Sequence, residues 1–229
     1  MIDDRALVFA RIREALQTSR PFHGAPPASP AAGRSAVHYQ SWLPAVTDTA
    51  EGRRAAFAER SGLLKTEFLP IPRTVLAATV RDLCARHGWS SAAWHRTELT
   101  AAAVEAAGLP LLSTDRPYPT ADLERTDVSF TGCDALIAQT GSVLLTTRSA
   151  GGRALSILPP HHVVLASSDQ LIADLPSAMR LVKARYGNDL PSMICLETGP
   201  SRTGDIERIL VLGAHGPKKL TVILVEGGD

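Results

Sequence analysis

From about Ala50 onward, segments with helical periodicity alternate with short β-rich runs, and this alternation confines the chain to layered α/β architectures. Helices are predicted over residues 51–61, 73–87 and 100–107, and strands over 63–69 and 109–113. After Pro119 the β content rises, with strands expected at 128–130, 135–139, 143–147 and 163–167, and Thr140-Gly141 is placed to close a tight reversal. A helix over 169–186, capped by Ser168 or Asp169 and ended near Gly187-Asn188, precedes strands at 193–196 and 220–225. A helical segment over 205–212 is expected between those two strands. The fold class is therefore α/β, with a mixed or mainly parallel sheet flanked by helices. Strand 193–196 is expected to be buried, with its carboxyl end opening onto Thr198.

The N-terminal segment is organised differently. Ala6, Leu7, Phe9, Ala10, Ile12, Arg13 and Leu16 recur at helical spacing, so residues 1–20 read as an amphipathic arm. Residues 21–36 hold Pro21, Gly24, Pro26, Pro27, Pro30 and Gly33, a composition that disfavours helix and sheet and suits a linker. Residues 37–229 then form the α/β domain. The arm can dock on its own domain, on a second copy or on another protein.

Charge and cysteine content exclude several function classes. Lys and Arg total 24 against 23 acids, a net charge of +1, so no global field recruits nucleic acid or an anionic membrane, and any anion must be bound locally. Cys84, Cys133 and Cys195 form neither a disulfide framework nor a C-x-x-C pair for zinc or an iron–sulfur cluster. His161-His162 has no carboxylate or cysteine at a metal-ligand spacing, so no metal site is expected. No stretch reaches the roughly 18 apolar residues that a bilayer span needs, and a reducing, cytoplasmic setting is expected. The residues identify no cofactor.

The run Thr198-Gly199-Pro200-Ser201-Arg202-Thr203-Gly204-Asp205-Ile206-Glu207 joins a predicted strand end to a predicted helix start, where ligands bind in open α/β sheets. Its glycines allow close backbone approach, Ser201 and Thr203 supply hydroxyls, and Arg202 supplies a planar cation suited to a carboxylate or phosphate. Asp205-Ile206 stands where a P-loop requires Lys and Ser or Thr, so Walker-type ATP hydrolysis is not supported. Asp205 and Glu207 either act in catalysis or complement the helix dipole. His215, between Ala214 and Gly216, either meets a ligand or stabilises its turn. Arg153, after Gly151-Gly152, is either an anion clamp or a solvated charge. Thr140, Gly141 and Ser142 can lend donors to the same pocket, or form a plain hairpin turn.

Three segments taken together, 152–159 (Gly-Arg-Ala-Leu-Ser-Ile-Leu-Pro), 198–207 and 213–217 (Gly-Ala-His-Gly-Pro), resemble the LUD domain of the lactate utilisation protein C family. The resemblance is specific over the last hundred or so residues and weaker back to about Ala50. It implies a fold similar to NagB/RpiA/CoA-transferase-like proteins. It also implies a place in the system that oxidises L-lactate to pyruvate beside iron–sulfur partner proteins, with this chain a non-redox component that binds a small anionic ligand. The alternative is an independent enzyme acting on a phosphorylated, CoA-linked or folate-like substrate. One position departs from the pattern: Gln139 stands where the family commonly carries an acid, so a catalytic base there would be missing.

Overall fold

The computed structural model describes residues 4–17, 44–203, 211–212 and 215–227. The chain divides into a unit of residues 1–43 and a unit of residues 44–229. In the first, α1 (Asp4–Gln17) is a helix on which Leu7, Val8, Phe9 and Ile12 are exposed. The expected linker, residues 21–36, lies outside the described residues.

The second unit is built on six parallel strands in the order β1-β12-β7-β4-β2-β3. In chain order these are β1 (Glu67–Pro72), β2 (Ala92–Trp94), β3 (Leu111–Ser113), β4 (Val128–Thr131), β7 (His161–Ser167) and β12 (Lys219–Glu226). The central strands are apolar on both faces: every residue from Leu220 to Val225 is buried, as a parallel strand covered on both sides requires. Pro70 and Pro72 are tolerated in β1 because it pairs only with β12 and needs no donors on its open side.

One face of this sheet is covered by α3 (Leu76–His87) and α4 (Glu98–Ala107), whose Leu76, Val80, Leu83, Ala103 and Val104 pack against Val128, Phe130, Val163, Leu165 and Ile223. The helix predicted from residue 100 starts two residues earlier, because Thr97 and Thr100 form a reciprocal cap with Thr100 N 3.1 Å from Thr97 Oγ1. A short α5 (Thr120–Glu124) buries Leu123 beside Ala93 and Leu155.

The opposite face carries a second sheet of four strands, in the order β8-β5-β6-β9. They are β5 (Ala135–Ile137), β6 (Ser142–Thr146), β8 (Leu171–Ile172) and β9 (Ile194–Glu197). Leu136, Val143 and Leu145 meet Val164, Ala166, Val222 and Leu224 of the large sheet in a shared core. That core also takes Phe57 of α2 (Ala50–Leu63), whose ring lies 4.8 Å edge-on from Phe68. On the far side of the small sheet, α6 (Leu175–Tyr186) seats Ala178 and Val182 on Ala135, Ile137 and Leu144.

Several sequence expectations change here. Residues 63–69 are not one strand: α2 runs on to Leu63, Leu64 and Lys65 turn, and β1 begins at Glu67. The helix expected from residue 169 begins at Leu175, because Ser167 instead caps a single 3-10 turn and β8 intervenes; the α6 cap is Asp174, which accepts from Ser177 N at 2.8 Å. Strand 193–196 is not buried. As β9 it forms an antiparallel edge of the small sheet, with Ile194 and Leu196 each 40% exposed. Residues 204–210 lie outside the described residues, but Val211–Leu212 is a strand, β11, paired antiparallel with β10 (Arg202–Thr203), so no helix extends through Leu212.

A buried polar clamp ties α6 to the chain between β4 and β5. Asp134 Oδ1 accepts from Arg185 Nη1 at 2.6 Å and from the Tyr186 hydroxyl at 2.5 Å. Burial alone would raise the Asp134 carboxyl, but hydrogen bonds from Ser149, Tyr186, Thr146 and Arg185 outweigh it and hold the group below the usual aspartate range. A carboxyl depressed in the folded state binds its proton first in the unfolded chain, so its contribution is present above about pH 4 and is lost as pH falls through the folded value. Asp134→Asn is therefore expected to flatten the dependence of stability on pH below about pH 4, measured by urea unfolding across an acid series. In the shared core, Phe57→Ala is expected to cost about 3–5 kcal/mol in the same assay at neutral pH.

Candidate functional site

The large sheet has a topological switch between β2 and β4. The chain leaves β2 through α4 toward β3 at the edge, whereas it leaves β4 in the other direction toward β7. The resulting crevice outside the carboxyl ends is where open α/β sheets bind ligands. Here it is a cavity of about 700 Å³. Most of its lining follows directly from strand ends, with Arg73 after β1, Thr97 to Leu99 after β2, Gly132 and Cys133 after β4, Ser167 to Gln170 at the end of β7 and Gly227 after β12, and Arg185 of α6 and Ser149 also border it.

Arg73 at the mouth donates to Glu98 Oε1, and both side chains are substantially exposed, so the pair is weak and exchangeable. Gln170 braces the floor, donating from Nε2 to the Cys133 carbonyl at 2.6 Å and accepting from Ser167 N at 2.8 Å. The Ser167 hydroxyl donates to Asp169 Oδ1. Cys133 is buried, and burial followed by the neighbouring Asp134 charge pushes its thiol far up, which removes it as a nucleophile at neutral pH. Beside the crevice, His95 and Asp115 follow β2 and β3, with His95 Nδ1 2.9 Å from Asp115 Oδ1 and Nε2 3.2 Å from the Arg148 carbonyl. The Asp115 carboxyl is desolvated, which raises it, but the Ser113 hydroxyl and the His95 charge pull it net downward.

The residues singled out in the sequence fall elsewhere. Thr140, Ser142 and Thr198 do converge: the Ser142 hydroxyl donates to Thr140 Oγ1 at 2.7 Å and lies 2.8 Å from Thr198 Oγ1. Gly141 is needed there, since φ is +67° and a Cβ would lie 2.6 Å from Ser61 N at the end of α2. Gly199, at φ +87°, abuts Leu64, and Arg202 donates to the Leu64 carbonyl, so both hold the turn after α2. Ser201 N donates to the Pro217 carbonyl at 2.9 Å, which joins this run to the His215-Gly216-Pro217 turn, where His215 is exposed. The side chain of Thr203, and Gly204, Asp205 and Glu207 entirely, lie outside the described residues.

Arg153 does not join this group. It donates from Nη2 to the Ser192 carbonyl at 2.6 Å, before β9 begins, whereas Thr198 follows the other end of that strand. Gln139 uses both ends of its amide: Nε2 donates to the Pro44 carbonyl at 3.1 Å and Oε1 faces Leu175 N at 3.4 Å. An ionised carboxylate there would have no proton for Pro44. His162, fully buried, links the two sheets, with Nε2 2.8 Å from Thr131 Oγ1 and Nδ1 2.8 Å from Glu197 Oε2. Among the described residues no cluster of three or more His, Cys, Asp or Glu is arranged to hold a metal ion, and no helix is long and apolar enough to cross a membrane.

Sequence reasoning missed the crevice residues because each stands alone after a short strand. The three residues of β2 carry no alternation, and nothing local links Arg73, Glu98 and Asp169, which only the sheet order gathers.

Comparison with known proteins places the chain by sequence and, separately, by fold. The chain is 35% identical over 119 residues to a lactate utilization protein C from Deinococcus radiodurans, covering 52% of this chain and 55% of that protein. It is 36% identical over 104 residues to a lactate utilization protein C from Shouchella clausii, covering 45% of each. The chain thus spans about half the length of the curated relatives it matches. In fold it is similar to the crystal structure of a DUF162 family protein from Deinococcus radiodurans, with a TM-score of 0.60, 22% identity, and coverage of 78% of this chain and 99% of that one. Residues 76–225 match the LUD domain model, and the chain belongs to the LUD domain family.

Proposed function

We propose that the protein is a non-redox component of a bacterial L-lactate utilisation system, and that its carboxyl-end crevice binds a small anionic ligand of the 2-hydroxy or 2-oxo carboxylate class. The observation that carries the pathway is the similarity to lactate utilization protein C. Electron transfer is assigned to iron–sulfur partner proteins. The three cysteines here are dispersed over α3, the end of β4 and β9, and burial raises each thiol away from the thiolate that cluster ligation needs. In the crevice, a ligand carboxylate displaces Glu98 from Arg73, gaining a bidentate partner, while Asp169 accepts from the ligand hydroxyl. Thr140, Ser142, Thr198, Gly199, Ser201 and Arg202 act in this reading as the frame around the turn after α2, and Asp205, Glu207 and His215 are given no step.

One observation favours a second reading. A cavity of about 700 Å³ is more than a three-carbon acid fills and falls within the range of roughly 300–1,000 Å³ typical of larger ligands. An independent enzyme acting on a phosphorylated, CoA-linked or folate-like substrate would use that space.

If L-lactate or pyruvate binds only the folded protein, a concentration near 100 times its dissociation constant adds about 2.7 kcal/mol of stability, read as a melting shift at fixed ionic strength. Arg73→Gln is expected to abolish the shift while leaving the unliganded melting temperature nearly unchanged, because the Arg73–Glu98 pair is exposed. A shift with CoA thioesters or phosphorylated acids alone selects the second reading, and no shift with any of them removes the crevice as an anion site. Deletion of the gene is expected to slow growth on L-lactate more than on glucose, and equal growth without a second copy would remove the pathway assignment.

A further inference from the structure

At the opposite end of the large sheet, a separate cavity of about 310 Å³ opens at the amino ends of β1, β12 and β7. Its charged lining consists of Lys65, Arg86, Lys218 and Lys219, with Glu67 the one carboxylate and His87 and His161 the imidazoles. Glu67 is already committed: it accepts from Arg86 Nη1 at 3.0 Å and from the Thr221 hydroxyl at 2.9 Å. None of the three lysines has a carboxylate partner within ion-pair distance among the described residues, and Asp127, held by Ser90 and Ser91, lines the adjoining cavity beside Lys218 and Lys219.

The hydrogen bonds fix the imidazole protons. Thr221 gives its only proton to Glu67, so its oxygen must accept from His161 Nε2, 2.8 Å away, and His161 is the Nε2–H tautomer. Lys219 Nζ, donor only, lies 3.3 Å from His87 Nδ1, which therefore accepts and leaves the proton on Nε2, a buried donor with no acceptor. His87 also ends α3, where the helix dipole favours an imidazolium. Its pKa is nevertheless lowered, by burial first and then by Lys219 and Arg86, with Glu67 the one opposing charge. His161 is lowered to about 3, by burial first and then by His87, Lys219, His162 and Arg86. The dipole offers about half a negative charge against three lysines, so the local potential is positive.

Lys65 supplies an independent observation. It is the only described non-glycine residue at positive φ (+67°), and it ends α2, with Lys65 N donating to the Gly62 carbonyl at 3.0 Å and Thr66 N to the Ser61 carbonyl at 2.9 Å. The turn that holds it is braced by Gly199 and by Arg202 on the Leu64 carbonyl. Glycine is the usual residue at such a helix end, and here a lysine stands in its place at the rim of the cavity.

We propose that this amino-end cavity is a binding site for a phosphate group, either free phosphate or a phosphomonoester, held by Lys65, Lys218 and Lys219 with His87 at its edge. Three lysines around one cavity match a dianion with three equivalent oxygens better than they match a monocarboxylate. The site is distinct from the carboxyl-end crevice and does not depend on the function assigned to it.

The test is titration calorimetry of the full-length protein with inorganic phosphate and, separately, glycerol 3-phosphate, at fixed ionic strength in chloride. Saturable binding of either supports the site, and the tighter of the two identifies the source. Lys65→Gly is the decisive variant, because glycine accepts the turn without strain: its melting temperature is expected to stay level or rise while the dissociation constant increases about tenfold. Lys219→Gln is expected to weaken binding similarly, and the bound anion is expected to shift the His87 ring signals and to drive net proton uptake, as a negative charge beside His87 raises its pKa. Absence of saturable binding, unchanged affinity in both lysine variants, or loss of binding on Arg73→Gln alone would overturn the proposal.

Discussion

A parallel sheet with apolar side chains on both faces cannot leave either face in water, and the rest of this structure follows from that requirement. β7 and β12 sit at its centre, with Val163, Leu165, Ile223 and Val225 on one side and Val164, Ala166, Val222 and Leu224 on the other. Helices α3 and α4 answer the first face in the ordinary way. The second face is answered largely by another sheet, which itself has two faces and so requires α6 outside it. Each layer exists because the previous one would otherwise expose a hydrophobic plane.

Stacking sheet on sheet brings polar strand residues into the interior, and each must be satisfied. His162 points from β7 toward the small sheet and uses both ring nitrogens, on Thr131 of the same sheet and Glu197 of the other. Asp134 performs the same service between the small sheet and α6. These bonds add less to net stability than the apolar contacts around them, since each replaces bonds to water. Their effect is specificity: a small sheet slipped by one residue would leave a buried imidazole and a buried carboxylate unpaired, which costs several times a made hydrogen bond.

Much of this was readable along the chain and some was not, and the division has a physical basis. Strands β7 and β12 were visible from apolar runs, β4 from the alternation of Val128, Ser129, Phe130 and Thr131, and helices α2 and α3 from 3.6-residue periodicity. β2, three residues with no alternation, was invisible, and with it the switch point that forms the crevice. β9 was placed but misjudged: Met193 to Leu196 read as a core strand, and nothing in four residues reveals that one side faces water. The loop at 198–202 stood out in the sequence for its glycine and arginine as a ligand site, and its described bonds run to Leu64 and Pro217, the first of them far away in sequence. Residue type announced that the backbone there was special without saying for what.

The two ends of the parallel sheet are electrostatically unequal for a reason built into βα units, and the side chains invert it. Helix N-termini gather at the carboxyl ends of the strands, where Thr97 caps α4 beside the crevice, and helix C-termini gather at the amino ends, where α3 stops at His87. Backbone dipoles alone would therefore make the carboxyl end the anion site and the amino end unfavourable to anions. At the carboxyl end, however, the cations are spoken for, Arg73 by Glu98 and Arg185 by Asp134, so the crevice is nearly neutral and an anion there would have to displace a carboxylate. At the amino end the lysines are unpaired and exceed the opposing dipole several-fold in charge. The ligand proposed for the crevice would therefore compete with a carboxylate for its cation, whereas the phosphate proposed for the amino end would meet lysines that hold no ion-pair partner among the described residues. Salt does not separate the two, because the Arg73–Glu98 pair and the amino-end lysines are all exposed and screened alike, and the difference lies in the carboxylate that must be displaced at one end only.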